Sequence, residues 1–332
     1  MTVDPAGQTW TAEEIAEGSA VEITAGRLPL RAQWRIAEQR ERRDRGEPGS
    51  FTSALSVEEF AAIRSVGFSP VGQVLGSAVY NVGWSYTGCG YYYGRGIGLG
   101  GGVRGGMAGG GFAGGGIAGG GTFGGGWTMA PVVPVPATQQ LLSQARHRAV
   151  ERMRQECSGL GGDGVVGVRL TVQSFYGNGL EFIAIGTAVR ADGAKRPRKP
   201  FTSDLTGQDF AKLIRAGWAP VALVQGVGSM IRHDDWSMMS QRTSWYNQEL
   251  AGSTQLVQAA RDSARKSLAS DAKQVGGQTV LLRDMMMQVS EQRCSGGGEG
   301  EDHVANTFIW GTAVVPFETT ASLEAPLPMM RL

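Results

Sequence analysis

The sequence is poor in the residues that usually build metal centres and disulfide frameworks. It holds three cysteines and three histidines in 332 residues. The cysteines at positions 89, 157 and 294 are widely spaced and odd in number, which argues against a disulfide framework. Neither a C-x-x-C nor an H-x-x-x-H spacing occurs, so the sequence contains no compact zinc-type motif.

An excess of charge of one sign and a long apolar run are also missing. Lys and Arg number 31 and Asp and Glu number 30, which leaves a net charge of +1. This balance gives no general attraction to nucleic acid, so we expect no nucleic-acid partner. A run of about 18 strongly apolar residues is absent, and so is an N-terminal signal pattern. We therefore expect a cytoplasmic protein, either free or peripheral to a membrane.

Charge is scarcest between Ser65 and Ala145, where only Arg95 and Arg104 occur. This stretch contains a glycine tract at residues 94–126, in which 20 of the 33 residues are glycine. Glycine has no side chain to bury and loses the most backbone entropy on ordering, so the tract cannot form a packed core. The tract therefore predicts a flexible insertion, which we place at about residues 88–136.

The rest of the chain repeats itself. A shift of 150 residues places Phe51-Thr52-Ser53 on Phe201-Thr202-Ser203, and a shift of 115 places Ala145-Arg146 on Ala260-Arg261. The shift falls from 150 to 115, so the first copy carries 35 extra residues, about the length of the glycine tract. Order-preserving matches of this kind indicate an internal duplication. The matched structural glycines are Gly76, Gly161 and Gly162 in the first copy and Gly226, Gly276 and Gly277 in the second.

Both copies predict the same elements in the same order. A capping-box pattern at residues 56–59 and a similar start at 206–209 each open a short helix, which is followed by a strand. Apolar residues at helical spacing predict long helices over about 138–158 and 254–274, and two strands close each copy. The predicted fold class is α+β, with two tandem repeats. Each repeat is a small, mostly antiparallel sheet packed with one short and one long helix, and repeat 1 carries the glycine-rich insertion.

The polar N-terminal region predicts a partly helical arm. A helix over Pro29–Arg45 carries many charges of mixed sign, so a solvated helix fits better than a membrane-surface or partner-docking arm. The predicted boundaries are the arm at 1–50, repeat 1 at 51–190, a basic linker at 191–200, repeat 2 at 201–317 and a disordered tail at 318–332.

Several motifs resemble those of the YbjQ-like family, in its tandem actinobacterial type. They are LGGDGVVGVR at residues 160–169, GTAV at 186–189 and GQVLG at 72–76. The resemblance covers both repeats and implies a compact α+β domain and ring-like homo-oligomers that are typically pentamers. It also implies heavy-metal binding, for which the family is named. The chain departs from the family at residues 278–282, where QTVLL replaces a valine-valine-glycine-valine run, and in the glycine tract itself.

If the chain binds a metal ion, as the resemblance implies, its few metal-ligand side chains must hold the ion. The metal hypothesis rests on His233, Asp234, Asp235 and Cys89. His303 beside Glu301 and Asp302 forms a second local group of the same kind. A plain polar loop is the alternative for both groups, because neither has the spacing of a known metal motif. A divalent or soft metal ion is the cofactor that this hypothesis requires.

The sequence shows no catalytic constellation, so we expect a protein that is not an enzyme. A G-x-G-x-x-G at Gly96, Gly98 and Gly101 lies inside the glycine tract, without the βαβ context that a dinucleotide site needs. Arg146 and Arg261 hold equivalent positions in the two long helices. An ion pair or an interface contact fits them better than an anion site.

These observations leave three functional hypotheses. The first is a non-enzymatic, ring-forming scaffold with a flexible interaction loop that contacts neighbouring subunits, a protein partner or lipid. The loop residues are Phe112, Ile117, Phe123 and Trp127. The alternative is a heavy-metal or small-ligand binding module. The second alternative is a membrane-associated assembly or pore made by clustered tracts, although glycine contributes little to transfer into lipid.

Overall fold

The structure, a computed structural model, describes residues 2–47, 52–81, 130–176, 179–194, 196–293 and 301–317. Within these residues it contains seven helices and ten strands, and the strands pair mostly antiparallel. The predicted α+β class with two tandem repeats is confirmed. The glycine tract and the predicted C-terminal tail lie outside the described residues.

The predicted elements occur in the predicted order, together with short elements that the sequence did not predict. The arm contains β1 (Thr2–Val3), β2 (Thr9–Trp10), α1 (Ala12–Thr24) and α2 (Leu30–Asp44). Repeat 1 contains α3 (Val57–Arg64), β3 (Phe68–Asn81), β4 (Val133–Pro134), α4 (Pro136–Gly159), β5 (Gly164–Phe175) and β6 (Gly179–Ala191). Repeat 2 contains β7 (Phe201–Thr202), α5 (Gly207–Arg215), β8 (Trp218–His233), α6 (Trp236–Arg242), α7 (Ala251–Gln274), β9 (Thr279–Arg293) and β10 (Glu301–Pro316).

The strands form two four-stranded sheets, and each takes one short strand from the other repeat. Sheet 1 has the order β3-β6-β5-β7, and sheet 2 has the order β4-β8-β10-β9. Strand β7 of repeat 2 pairs in parallel with β5, whereas β4 of repeat 1 pairs antiparallel with β8. The register shifts between Val166 and Arg169 in sheet 1 and at the equivalent place, between Trp310 and Gly311, in sheet 2.

Side-chain caps open the short helices as the sequence predicts. Ser56 and Glu59 form a complete capping box at the start of α3, and Thr206 caps α5 by accepting from the Asp209 amide. Thr11 and Glu14 form the same box at α1. These contacts satisfy amide groups that the first turn of a helix leaves without a partner.

Glycine lets each long helix lie directly on its sheet. A Cβ atom at Gly76 of β3 would overlap the Ala149 carbonyl oxygen of α4. A Cβ at the equivalent Gly226 of β8 would overlap the Ala264 carbonyl oxygen of α7 in the same way. Any larger residue at these two positions would push the helix away from the sheet.

Helix α4 packs between the two sheets. One core cluster joins Ala145 and Ala149 of α4 to Phe182 of sheet 1 and to Leu223 and Val227 of sheet 2. The helix therefore shares its buried surface between both repeats, which makes a continuous core.

The buried Arg146 of α4 lies in this core among aromatic rings. Its guanidinium carbon is 4.1 Å from the ring centroid of Phe308 and 5.7 Å from that of Trp310, both in β10. Burial lowers the pKa of Arg146 to about 10. Cation–π contact offsets part of the cost of burying the charge. Arg146 thus makes a contact between the two repeats within the chain.

The arm packs on α4, so it is less solvated than the sequence predicts. Ile36 of α2 is buried against Gly159, where a side chain would collide with it. Arg35 donates to Glu156 at 2.6 Å, and Glu156 also accepts from the Leu75 amide at 2.9 Å. The mixed charges of α2 therefore include a specific contact to repeat 1.

An equivalent carboxylate lies in repeat 2. Asp271 of α7 accepts from the Gln225 amide of β8 at 2.8 Å, and His147 of α4 approaches it at 3.4 Å. A side chain from the preceding part of the chain therefore reaches each carboxylate: Arg35 for Glu156 and His147 for Asp271. His147 thus links the long helix of repeat 1 to that of repeat 2.

We predict that Gly76→Ala destabilises the fold by about 1–3 kcal/mol or more, because the added methyl group overlaps a backbone oxygen that cannot move alone. The measurement is urea unfolding followed by circular dichroism. Gly193→Ala is the matched control, since a Cβ there meets open space, and it should change stability by less than about 0.5 kcal/mol. Equal effects of the two substitutions would contradict close helix–sheet contact at Gly76.

A second prediction concerns pH. The hydrogen bond to Asp271 raises the pKa of His147 above its ordinary value. The stabilisation is therefore fully present below the unfolded-state pKa and is lost as pH rises through the folded-state pKa. His147→Gln should lower the melting temperature slightly near about pH 5.5 and leave it unchanged near about pH 8.5.

Asp271→Asn provides the comparison for this experiment. It weakens the acceptor for the Gln225 amide as well, so it should destabilise the protein at both pH values. A pH-independent effect of His147→Gln would rule out a charged contact to Asp271.

Candidate functional site

The predicted ligands His233, Asp234 and Asp235 have three different partners. His233 lies opposite Asp302 in the β8–β10 ladder, with Nδ1 2.9 Å from Oδ1. Asp234 lies 2.8 Å from His303. Consecutive side chains of an extended segment point in different directions, so the three do not converge on one point.

Asp235 accepts hydrogen bonds from three donors of the surrounding structure. It caps helix α6 by accepting from the Met238 amide at 2.8 Å, and it also accepts from Arg232 at 2.8 Å and from the Ala130 amide at 2.9 Å. Burial raises the pKa of this carboxyl, but the three donors outweigh it and hold the pKa below its ordinary value. A fully bonded capping carboxylate has little capacity left for a metal ion.

A different group of ligand atoms does converge, where β8 ends, β10 begins and β9 passes beside it. We call it the acid–histidine cluster; it comprises Asp234, Arg242, Glu291, Glu301 and His303. One ligand atom each from Asp234, Glu301 and His303 lie within 4.8 Å of one another. The His303 imidazole is nearly buried, with Nε2 2.8 Å from Asp234 and Nδ1 3.4 Å from Glu291.

Arg242, the last residue of α6, supplies positive charge to this cluster. Its guanidinium lies 3.4 Å from Asp234 and 3.7 Å from both Glu291 and Glu301. Its Nη1 is also 3.5 Å from Nε2 of His303. The guanidinium thus compensates the carboxylates at the point where a cation would bind. Its side chain is 38% exposed, so it has room to move aside.

The cysteines add little to a metal site within the described residues. Cys157 is buried at the end of α4, and burial raises the pKa of its thiol to about 12. A thiol of this kind is not deprotonated near neutral pH, so it is a poor metal ligand. Cys89 lies outside the described residues, as do Phe112, Ile117, Phe123 and Trp127 of the predicted interaction loop.

The sequence carried a signal for the acid–histidine cluster. His-Asp-Asp at 233–235 ends one strand, and Glu-Asp-His at 301–303 begins the strand that pairs with it antiparallel. Antiparallel neighbours bring the end of one strand to the start of the next, so the two groups meet. Sequence reasoning treated them as two separate loops, because the pairing of β8 with β10 is a tertiary contact.

Strand β9 carries a second notable feature, an exposed apolar surface. Leu281 is 36% exposed and Leu282 is 63% exposed, whereas the equivalent stretch of β5 is largely buried. Further along β9, Met285, Met286 and Val289 are also exposed. A group of exposed apolar side chains along one strand is typical of an interaction site.

The part of the chain that the structure describes includes no helix with both the length and the apolar character needed to cross a bilayer.

Comparison with known proteins places the chain in a family. The family described as "Putative heavy-metal-binding" (YbjQ) matches residues 135–192, which include α4, β5 and β6. A second similarity spans most of the chain. Over 281 residues the chain is 30% identical to the encapsulin nanocompartment protein Rv1762c of Mycobacterium tuberculosis, covering 82% of this chain and 85% of that protein.

Shorter matches connect the chain to two further relatives. It is 47% identical over 51 residues to a UPF0145 protein of Halorubrum lacusprofundi and 39% identical over 51 residues to one of Vibrio campbellii. Each match covers 15% of this chain and 49% of the relative. On the strength of the similarity that spans 82% of the chain and of the family match over α4, β5 and β6, this chain belongs to the YbjQ-like family.

Proposed function

We propose that this protein is a non-enzymatic scaffold that assembles with copies of itself into a ring. One observation carries the proposal: the two repeats join through unlike surfaces, and each repeat leaves exposed the surface that the other one uses. One relative is named an encapsulin nanocompartment protein, which supports a role in assembly.

The contact between the repeats, which we call the repeat joint, has two different sides. Repeat 1 contributes strand β5 and the outer side of α4. Repeat 2 contributes β7, helix α5 and the face of sheet 2 that carries Leu223 and Val227. A joint with different surfaces on its two sides is heterologous.

Repeat 1 carries a surface equivalent to the one that repeat 2 buries in the repeat joint. The equivalent face of sheet 1 has Gln73 and Ser77 where sheet 2 has Leu223 and Val227, and its apolar residues Leu75 and Val79 are exposed. In sheet 2 the corresponding face is covered by α4, through Leu223, Val227, Phe308 and Trp310. Sheet 1 therefore presents an open face at the place where sheet 2 accepts a helix.

Repeat 2 carries a surface equivalent to the one that repeat 1 buries in the repeat joint. Strand β9 is equivalent to β5, but its first residues are exposed where those of β5 are covered. Each chain thus has two unlike, complementary ends. Heterologous contacts of this kind generate closed rings or open filaments. We propose the closed form, with the pentamer that the family resemblance implies.

The glycine tract has a place in this proposal. Its residues Phe112, Ile117, Phe123 and Trp127 would be presented once per subunit, so a ring would multiply weak contacts to a protein partner or a membrane surface. The proposed location is the cytoplasm, because three scattered cysteines with a buried Cys157 thiol suit a reducing compartment.

We predict that native mass spectrometry of the purified chain detects an assembly of about five or ten copies, because symmetric heterologous contacts close at a defined number. A variant without residues 94–126 should retain the same stoichiometry, since repeat 2 has a long helix and a sheet without such a tract. A monomer at all concentrations would overturn the proposal.

The acid–histidine cluster favours a second candidate function, metal binding. Asp234, Glu301 and His303 offer carboxylate and imidazole ligands, which suit a divalent first-row metal such as Zn²⁺. A bound ion would need to displace Arg242, which now compensates the same carboxylates. This requirement makes the hypothesis testable without knowledge of the native metal.

For this candidate we predict that Arg242→Ala tightens Zn²⁺ binding by about tenfold or more. A unit charge about 4 Å away is worth roughly 1 kcal/mol even in water, and more in a half-buried site. Isothermal titration calorimetry measures the change. His303→Gln should abolish Zn²⁺ binding. His233→Gln is the matched control and should retain it, because His233 is paired with Asp302 instead. If Arg242→Ala gives no saturable heat, metal binding at this cluster is excluded.

A further inference from the structure

We propose that a groove between α5 and β9 is the docking site for residues 52–60 of a second copy of this chain, with Phe60 as the anchor. The inference rests on the proposed self-assembly and names the surfaces that would carry it. We call residues 52–60 the plug. We call the site formed by Leu205, Leu213, Ala216, Leu281 and Leu282 the groove.

The repeat joint supplies the template for this contact. Phe210, the residue equivalent to Phe60, is completely buried there. Its ring lies 5.1 Å from that of Phe68 and 5.7 Å from that of Phe201. Ile63 and Val166 of repeat 1 complete the cluster. Phe210 is thus the aromatic anchor of repeat 2 in a pocket that repeat 1 largely builds.

Backbone hydrogen bonds hold the same segment in the repeat joint. The Ser203 amide donates to the Val165 carbonyl at 2.8 Å, and the Val168 amide donates to the Ser203 carbonyl at 2.9 Å. Further along, the Gly167 amide donates to the Leu205 carbonyl at 3.0 Å. The start of repeat 2 therefore adds to the edge of β5 in the manner of an added strand.

The groove is the counterpart of that pocket on repeat 2. Leu213 stands in place of Ile63, and Leu281 in place of Val166. Val166 and Ile63 are fully buried by the neighbouring repeat, whereas Leu281 is 36% exposed. The open groove has a volume of about 470 Å³. An aromatic side chain with part of its helix is the kind of group that such a groove takes.

The plug does not fill the groove of its own chain, although Glu58 and Glu59 accept hydrogen bonds from Gln208 and Gly207 of α5. Phe60 is 40% exposed, and Thr52 and Ser53 are exposed where Thr202 and Ser203 are fully buried. A second copy therefore supplies a plug whose Phe60 is accessible.

One sequence difference between the two repeats decides which aromatic residue serves as the anchor. In the repeat joint the ring of Phe201 packs on Gly164, where a Cβ atom would overlap it. Repeat 2 has Thr279 at that position, so a ring equivalent to Phe201 has no room there. The proposed contact therefore depends on Phe60, the equivalent of Phe210, rather than on residue 51.

The test uses two variants that each disable one side, Phe60→Asp in the plug and Leu282→Asp in the groove. Size-exclusion chromatography with light scattering should show that each variant alone falls from the wild-type assembly to single chains. Mixed in equal amounts, the two should form a dimer of one chain of each kind, because one intact plug and one intact groove remain. Val21→Asp, which changes an exposed apolar residue of the arm, is the control and should keep the wild-type mass.

A second measurement covers the case in which Phe60→Asp does not fold. A variant carrying both Phe60→Cys and Leu282→Cys should form disulfide-linked multimers on oxidation, while each single cysteine variant should not. A wild-type assembly that persists in both aspartate variants, without crosslinking of the double cysteine variant, would overturn this docking site and leave self-assembly standing. A monomeric wild type would instead overturn the proposed function.

Discussion

The packing of helix α4 between two sheets is the contact on which the rest of the structure depends. Its alanine-rich side lies on sheet 1 at Gly76, and its other side carries Arg146 into the aromatic residues of sheet 2. Neither sheet would be covered on that side without the helix. The two repeats therefore share one core instead of folding as separate units joined by a linker.

This arrangement also makes the two ends of the chain unlike. The same geometry that covers β5 with β7 leaves β9 without such a cover, and the same helix that covers sheet 2 leaves the face of sheet 1 open. A symmetric, two-fold joint would have consumed both copies of each surface. The heterologous joint consumes one of each, and this is the physical reason that self-assembly is the function we favour.

The acid–histidine cluster combines possible metal ligands with a cation that already neutralises them. Three ligands meet, but Arg242 already compensates their charge. Buried or half-buried carboxylates require either a cation or hydrogen-bond donors, and a guanidinium supplies both. Metal binding thus reduces to a competition between an ion and one side chain.

The sequence alone determined the α+β class, the tandem repeats and the helix starts at Ser56 and Thr206, because capping and periodicity are local and duplication is visible by alignment of the chain with itself. It also matched Gly76 with Gly226, but only the tertiary structure shows the helix backbone that lies against them. The sequence did not determine the pairing of His303 with Asp234, the docking of the arm on α4, or the exchange of β4 and β7 between sheets. These contacts join residues far apart in the chain, and only the tertiary structure decides which strand edges and helix faces meet.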